Sequence, residues 1–401
     1  MSTNRPRWFG ATPLDYIPGP TGFWFRDLGA LTQEFLRTGV DSKFVALGSQ
    51  AKMEAGKPLI LCSREEMAST DWWKSHNVDG VVLNSWGAPR FTPIARAIKF
   101  AGARLIIRLD TDGIKSPRTD FKRYLSSAYL GARDGGTRFP AASALCKSIA
   151  FRLFPQIHDL KFFDHLELAD AVLVESLPAK RYIERLAKTH GRSPAIRKLH
   201  VLPHFAAVEK GCDPALPKKS QILAVGRWDA TQKDGASLIR ALGRALEARS
   251  DYTAKVVGSG RDYIEPFYRE LPESIQRRLV LVGLQTHEQV QQHCRESRII
   301  FFSSRFEGFP FAASEALCCG CTVVGSVTLP SMSHIATCGG GTVALSRSVT
   351  NLADALVVEV DAWETGWRDA ESISTKWMSE ISLKSVAKKI LELGKIKRKQ
   401  E

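Results

Sequence analysis

From residue 43 to residue 324, short aliphatic runs alternate with longer stretches of helical spacing, a pattern that parallel sheets with helices on their faces accommodate. In the first half, strands are expected at 43–47, 59–62, 81–84, 105–109, 172–175 and 199–202, with helices such as 92–101 and 178–188 between them. No clear strand precedes Gly22, where a domain of this kind should have its first. From His204 to Gln221 the segment HFAAVEKGCDPALPKKSQ loses periodicity and gains Pro, Gly and Lys, as an interdomain linker does. A second series follows, with strands at 222–225, 254–257, 279–282, 299–302 and 322–324 and helices at 234–248, 288–295 and 310–319. The end, 352–397, is helical in pattern and closes on a basic tail. The expected organisation is an N-terminal domain at 1–205, a linker at 206–220, a second domain at 221–378 and a C-terminal helix with its tail at 379–401. The fold class expected is α/β, with two Rossmann-like doubly wound sheets facing across a cleft. Ligands of such sheets lie outside the carboxyl ends of the strands.

A length of 401 residues suits two or three domains. No apolar run approaches the roughly 18 to 20 residues needed to span a bilayer, and no secretory h-region follows Arg5 and Arg7. A cytoplasmic location, or the inner face of the membrane, is therefore expected. The eight cysteines are too sparse for a disulfide scaffold. A net charge of +14 suits nucleic acid, an anionic membrane surface or a polyphosphate-bearing substrate, and by itself does not choose among them.

The informative residues stand where the strands of the second domain should end. Gly226-Arg227 closes the first of them and Lys233 precedes a helix, so an arginine fork and a lysine point charge can converge on a diphosphate. Gly258-Ser259-Gly260 closes the next strand in a turn that lets backbone approach a ligand. After the strand at 299–302, Glu307 falls in a loop, and Pro310 suits the first turn of a helix that carries Glu315. The helix N-terminus near Gly308 and Phe309 offers N–H groups to a phosphate. Glu315, among Ala312, Ala313, Ala316 and Leu317, must find a hydrogen-bond donor, and ribose hydroxyls would serve.

These segments, GRWDATQK, VGSG and above all EGFPFAASEALCCGCTVV, resemble the C-terminal domain of glycosyltransferase family 4, the group 1 retaining enzymes with the GT-B fold. The likeness covers about 222–345 and extends loosely to ADAVLVES and KLHVLPHF. It implies a nucleotide sugar as donor and a glycan or lipid-linked acceptor. Arg227 and Lys233 would hold the donor diphosphate, Glu307 would touch the donor sugar as a catalytic residue, and Glu315 would touch the ribose. Gly226, Gly258, Gly260, Gly308, Phe309, Pro310 and Phe311 would complete the donor site. In the family, a glycine-rich turn near the N-terminus shapes the acceptor side, and only Pro18–Gly22 could play that part here; Gly22 and Ser85 are assigned to that side. Asp110 stands where the family often has a histidine near the reacting carbon, and HFAA after VLP replaces the more usual Asn-Gly. Asp110 is accordingly assigned to the reaction or to a substrate hydroxyl, with a strand-end cap as an equal alternative.

Other patterns compete. Asp110-Thr111-Asp112 imitates the metal-binding D-x-D motif of the single-sheet GT-A transferases, but the second βα domain and its basic pair favour a donor site that needs no metal. Cys318-x2-Cys321-x12-His334-x3-Cys338 has zinc-finger spacing, yet a βα pattern runs through it where a finger would place two strands and a helix, so zinc is not expected. No cofactor and no nucleic-acid partner are expected. Residues 144–163 mix cations with aromatics; a membrane interface and core packing explain them about equally, and Pro155 interrupts any single helix. Two alternative functions remain open, a sugar-nucleotide epimerase of the same architecture and a basic membrane- or nucleic-acid-binding protein on an inactive transferase scaffold.

Overall fold

The computed structural model describes residues 5–19, 24, 27–52, 54–109, 121–134 and 137–395. They form two compact units, each built on a parallel sheet. The first sheet has seven strands: β1 (Trp8–Asp15), β2 (Phe44–Leu47), β3 (Leu59–Cys62), β4 (Gly80–Asn84), β5 (Arg104–Arg108), β6 (Ala171–Val174) and β7 (Leu199–Val201). Their order is β3-β2-β1-β4-β5-β6-β7, so the direction of winding reverses between β1 and β4. Every residue of β2, β4 and β6 is buried, as expected of strands covered on both faces, and this is why they read as unbroken apolar runs.

The strand missing from the sequence reading is β1, which sits inside this sheet between β2 and β4. Gly10 and Pro13 break its apolar run. Proline is tolerated because the regular ladder ends before it: pairing with β4 stops at Ala11, and the register with β2 shifts between Ala11 and Asp15.

The second unit spans Pro203–Lys395 and also takes helix Asp27–Arg37 from the N-terminal half. That helix buries Leu28, Leu31 and Phe35, packs on helix Leu383–Lys395, and places Arg37 3.1 Å from Glu209. Its amphipathic pattern shows a face to be buried but not the unit that buries it. The segment read as a linker also belongs to this unit: Phe205, Ala206 and Val208 are buried, and Ala206 exchanges backbone hydrogen bonds with Ile381 and Leu383.

The sheet of the second unit has six strands: β8 (Lys219–Val225), β9 (Thr253–Val257), β10 (Leu279–Gly283), β11 (Ser297–Phe302), β12 (Thr322–Ser326) and β13 (Gly341–Ala344). The order β10-β9-β8-β11-β12-β13 puts the reversal between β8 and β11. Helix Pro330–Thr337 and β13 had no distinct sequence signal, and the helical end resolves into Val349–Glu364, Ala370–Ile381 and Leu383–Lys395. No described helix is long and apolar enough to cross a membrane.

Candidate functional site

The reversal point of the second sheet gathers most of the residues singled out by the sequence. Beyond β8 the chain turns through Gly226, Arg227 and Trp228. The Gly226 N–H donates to the Val257 carbonyl (3.1 Å) and the Trp228 N–H to the Ser259 carbonyl (2.8 Å). Gly258 and Gly260 have φ of +127° and +88°, and a Cβ on them would overlap the carbonyl oxygens of Gly226 and Trp228 respectively. The close approach that demands glycine at 258 and 260 is made to the neighbouring loop of the protein. It fixes the position from which Arg227 extends.

Asp229 then builds the next turn. Its Oδ1 accepts the N–H groups of Thr231 (2.9 Å), Gln232 (2.6 Å) and Lys233 (3.2 Å) and the Thr231 hydroxyl (3.0 Å). Burial works to raise the Asp229 carboxyl, but these hydrogen bonds outweigh it and hold it below the usual range. Lys233 therefore leaves a preset turn. Its carbonyl accepts the Ser303 hydroxyl at 2.6 Å, while Arg305 N–H donates to the Gln232 carbonyl at 2.7 Å, so the loops after β8 and β11 are stitched together. The result is a direct contact between two of the expected residues: Lys233 Nζ lies 2.6 Å from Glu307 Oε1, with both side chains largely buried. Arg227 is different. Its side chain is 75% exposed and, among the described residues, is restrained by a 3.7 Å contact with Asp229, which leaves the guanidinium in reach of a ligand.

Pro310 caps helix Phe311–Cys318 at its N-terminus. Phe309 is buried against Trp377, and the Phe311 ring centroid lies 3.5 Å from that of His204. Ser314 donates to the His204 carbonyl (2.8 Å), tying the helix to the segment that enters the unit. Glu315 is buried to 6% exposure, and His287 Nδ1 stands 3.6 Å from its Oε1, beyond hydrogen-bond range but close enough to pair with it electrostatically when the ring is protonated. Gly308 lies in the loop ahead of this helix, in whose first turn the N–H groups of Ala313 (2.9 Å) and Ser314 (3.2 Å) donate to the Pro310 carbonyl.

In the first unit, Ser85 follows β4 at the reversal point, but its hydroxyl is buried and held 2.8 Å from His165 Nε2. Thr92 Oγ1 lies 3.2 Å from the other ring nitrogen. Ser85 is thus a positioning residue for the turn through Trp86 and Gly87, both at positive φ, and not a hydroxyl open to an acceptor. At the ends of β5 and β6, Arg108 and Glu175 are buried 3.9 Å apart. Gly22 and Asp110, with Asp112, lie outside the described residues.

Burial lowers the His165 pKa from 6.5 to about 4, so the ring is neutral near pH 7. The folded value lies below the unfolded one, so the unfolded chain binds more protons in that interval and stability falls as pH drops through it, by about 3 kcal/mol over the whole shift. His165→Gln is expected to flatten the loss of unfolding free energy between pH 6.5 and about 4 in urea titrations. Equal pH slopes in the two proteins would refute this.

Residues 219–358, within the second unit, match the family described as Glycosyl transferases group 1. The match covers the sheet of the second unit and does not extend to the first unit. No curated protein matches the chain. Among solved structures, the chain is similar to the lipopolysaccharide outer core galactosyltransferase WaaB in its apo form, at 15% identity and a TM-score of 0.61, over 96% of this chain and 98% of that one. It is similar to Anabaena HepE in complex with UDP and glucose at 14% identity and 0.60, over 96% and 98%. It is also similar to an S. aureus TarM variant in complex with Fondaparinux, alpha-GlcNAc-glycerol and UDP at 10% identity and 0.64, over 97% and 100%. At such identities the likeness establishes the GT-B fold. Sequence reasoning passed over Asp229, Arg305, His287 and His165. The Asp-x-Thr turn signal could have found Asp229; the others matter through partners remote in sequence.

Proposed function

We propose that this chain is a glycosyltransferase moving a hexosyl group from a nucleoside-diphosphate sugar to a glycan or lipid-linked acceptor, retaining configuration at the transferred carbon and requiring no metal ion. The reading rests on one observation, the Lys233–Glu307 pair in the loops beyond β8 and β11, with Arg227 exposed in the same loop as Lys233. The diphosphate lies against Arg227, Lys233 and the helix N-terminus beyond Gly308, and the two cations neutralise the leaving group as its charge develops. Glu307 passes from Lys233 to the donor sugar and orients it. Glu315 accepts hydrogen bonds from the ribose. The first unit supplies the acceptor side, with Asp110 in the reaction or on a substrate hydroxyl. Complexes of HepE with UDP-glucose and of TarM with UDP and alpha-GlcNAc-glycerol support a sugar nucleotide and a glycan-type acceptor.

Purified protein is expected to gain several degrees in Tm with one of UDP, GDP or ADP in EDTA, and to lose that gain in Arg227→Ala. A gain that requires Mn²⁺ would overturn metal independence; no gain with any nucleotide would overturn the donor site. Analysis of the products separates transfer from epimerisation, because an epimerase releases a rearranged sugar without an acceptor.

We further propose that the enzyme works at the cytoplasmic face of an anionic membrane. Helices Pro140–Leu153 and Pro155–Glu167 leave Phe139, Leu145, Ile149, Leu153, Phe154 and Ile157 exposed. No Asp or Glu occurs from Gly135 to His158, whereas Arg138, Lys147 and Arg152 do. Burial, then the charges of Arg90 and Lys161, lower the Lys147 pKa, as expected in a cluster of cations that would bind an anionic surface. The protein should float with phosphatidylglycerol vesicles and not with phosphatidylcholine, less so at high salt, and Leu153→Glu with Phe154→Glu should abolish flotation. Flotation unchanged in that double variant would sink the proposal.

A further inference from the structure

The zinc-like spacing in the sequence does not close as a finger, but half of it finds a different partner. Cys318 and Cys321 are fully buried, and the Cys321 thiol donates to the carbonyls of Cys294 (2.9 Å) and Ser297 (3.1 Å). His334 and Cys338 instead meet Glu380. One potential ligand atom from each of the three lies within 4.8 Å of the other two. His334 is in helix Pro330–Thr337 and Cys338 is its C-cap, so they stand one turn apart on one face. Glu380 comes from near the end of helix Ala370–Ile381. Among the described residues, His334 Nε2 is buried with no hydrogen-bond partner. A buried, unpartnered imidazole nitrogen needs an explanation, and a metal supplies one.

We propose that His334, Cys338 and Glu380 form a binding site for a divalent cation of the zinc class, with the fourth position taken by water. The donor set carries the choice of metal. One imidazole nitrogen, one thiolate and one carboxylate suit a borderline cation, whereas calcium and magnesium take oxygen ligands. Bond lengths of roughly 2.0 to 2.3 Å put the ligand atoms of a tetrahedral site about 3.3 to 3.8 Å apart. The three side chains are half-buried, so rotamer adjustment can close the remaining gap. Lys376 is exposed and donates to the Cys338 carbonyl at 2.8 Å; it competes weakly for the site, since that bond leaves the Cys338 sulfur untouched. On binding, the Cys338 thiol gives its proton to buffer and coordinates as thiolate. None of the three residues belongs to the candidate donor site, so the site is independent of the metal-free transfer proposed above. It would pin the end of helix Pro330–Thr337 to helix Ala370–Ile381, whose Trp377 is fully buried and meets the His334 ring edge-on at 5.7 Å. Its role is therefore a structural clamp within the second unit.

The test uses the full chain, stripped with EDTA, dialysed into metal-free buffer and titrated with Zn²⁺ and Co²⁺. One equivalent of either metal should bind. The cobalt form should show a thiolate-to-metal charge-transfer band and intense tetrahedral d–d bands, and Tm should rise with zinc. Cys338→Ser should remove the charge-transfer band. Glu380→Gln, at a half-buried position, should weaken zinc by at least the roughly 10- to 100-fold that loss of an outer partner costs. If Cys338→Ser fails to fold, Glu380→Gln carries the same test. Sub-stoichiometric uptake, a cobalt spectrum without the thiolate band, or zinc affinity unchanged in both variants would overturn the proposal.

Discussion

Replacing Lys233 with alanine is expected to lower kcat/KM for the sugar nucleotide by about a hundredfold or more while leaving the fold intact. The ammonium is held 2.6 Å from Glu307, and its backbone is fixed by Asp229 and Ser303, so the charge is delivered without a search among rotamers. A charge-assisted hydrogen bond contributes roughly 1.5 to 3 kcal/mol in an ordinary setting. The contribution grows if it strengthens as negative charge gathers on the leaving diphosphate. The fall should then appear mainly in kcat, because an interaction made only in the transition state leaves KM little changed. Fold integrity is checked by circular dichroism and Tm. A variant within about threefold of wild type in kcat/KM would remove Lys233 from the reaction, and an effect confined to KM would make it a ground-state binder.

Gly258→Ala is expected to be the most damaging single-methyl substitution at the site, costing more than about 3 kcal/mol of unfolding free energy. Two penalties coincide there. The backbone stands at φ +127°, and the new Cβ would overlap the Gly226 carbonyl oxygen, a backbone atom on a neighbouring strand end that the β8–β9 ladder holds in place. Relief requires the two loops to part, which would also displace Arg227. Gly283→Ala is the control, because Gly283 also has positive φ, +83°, but open space around its Cβ. It should cost only the roughly 1 to 2 kcal/mol of the left-handed conformation. Urea unfolding of both variants decides the matter; equal losses would mean that the close approach is not limiting.

Much of the second unit was legible because its signals are local. Strand ends, Gly226-Arg227, the glycines at 258 and 260, and Pro310 ahead of Glu315 are each written within a few residues. The first unit was less legible at one interior strand. Gly10 and Pro13 disguise β1, and only the neighbouring strands on both sides make Trp8–Asp15 a strand. The glycines at 258 and 260 were located correctly, yet their role depends on a loop some 30 residues earlier in sequence, at Gly226 and Trp228.

By itself, the sequence determined the alternation of elements, the two parallel sheets, and the residue types at the carboxyl edge of the second one. These follow from periodicity and turn chemistry, which act over a turn of helix or a pair of strand residues. Tertiary structure alone decided the pairings. It set Lys233 on Glu307 across 74 positions and His165 on Ser85 across 80, assigned helix Asp27–Arg37 to the second unit, and replaced a four-residue zinc spacing by a cluster with Glu380. A buried charge or an apolar face announces that it needs a partner; which partner it meets is settled by how the sheets wind and how the helices pack on them.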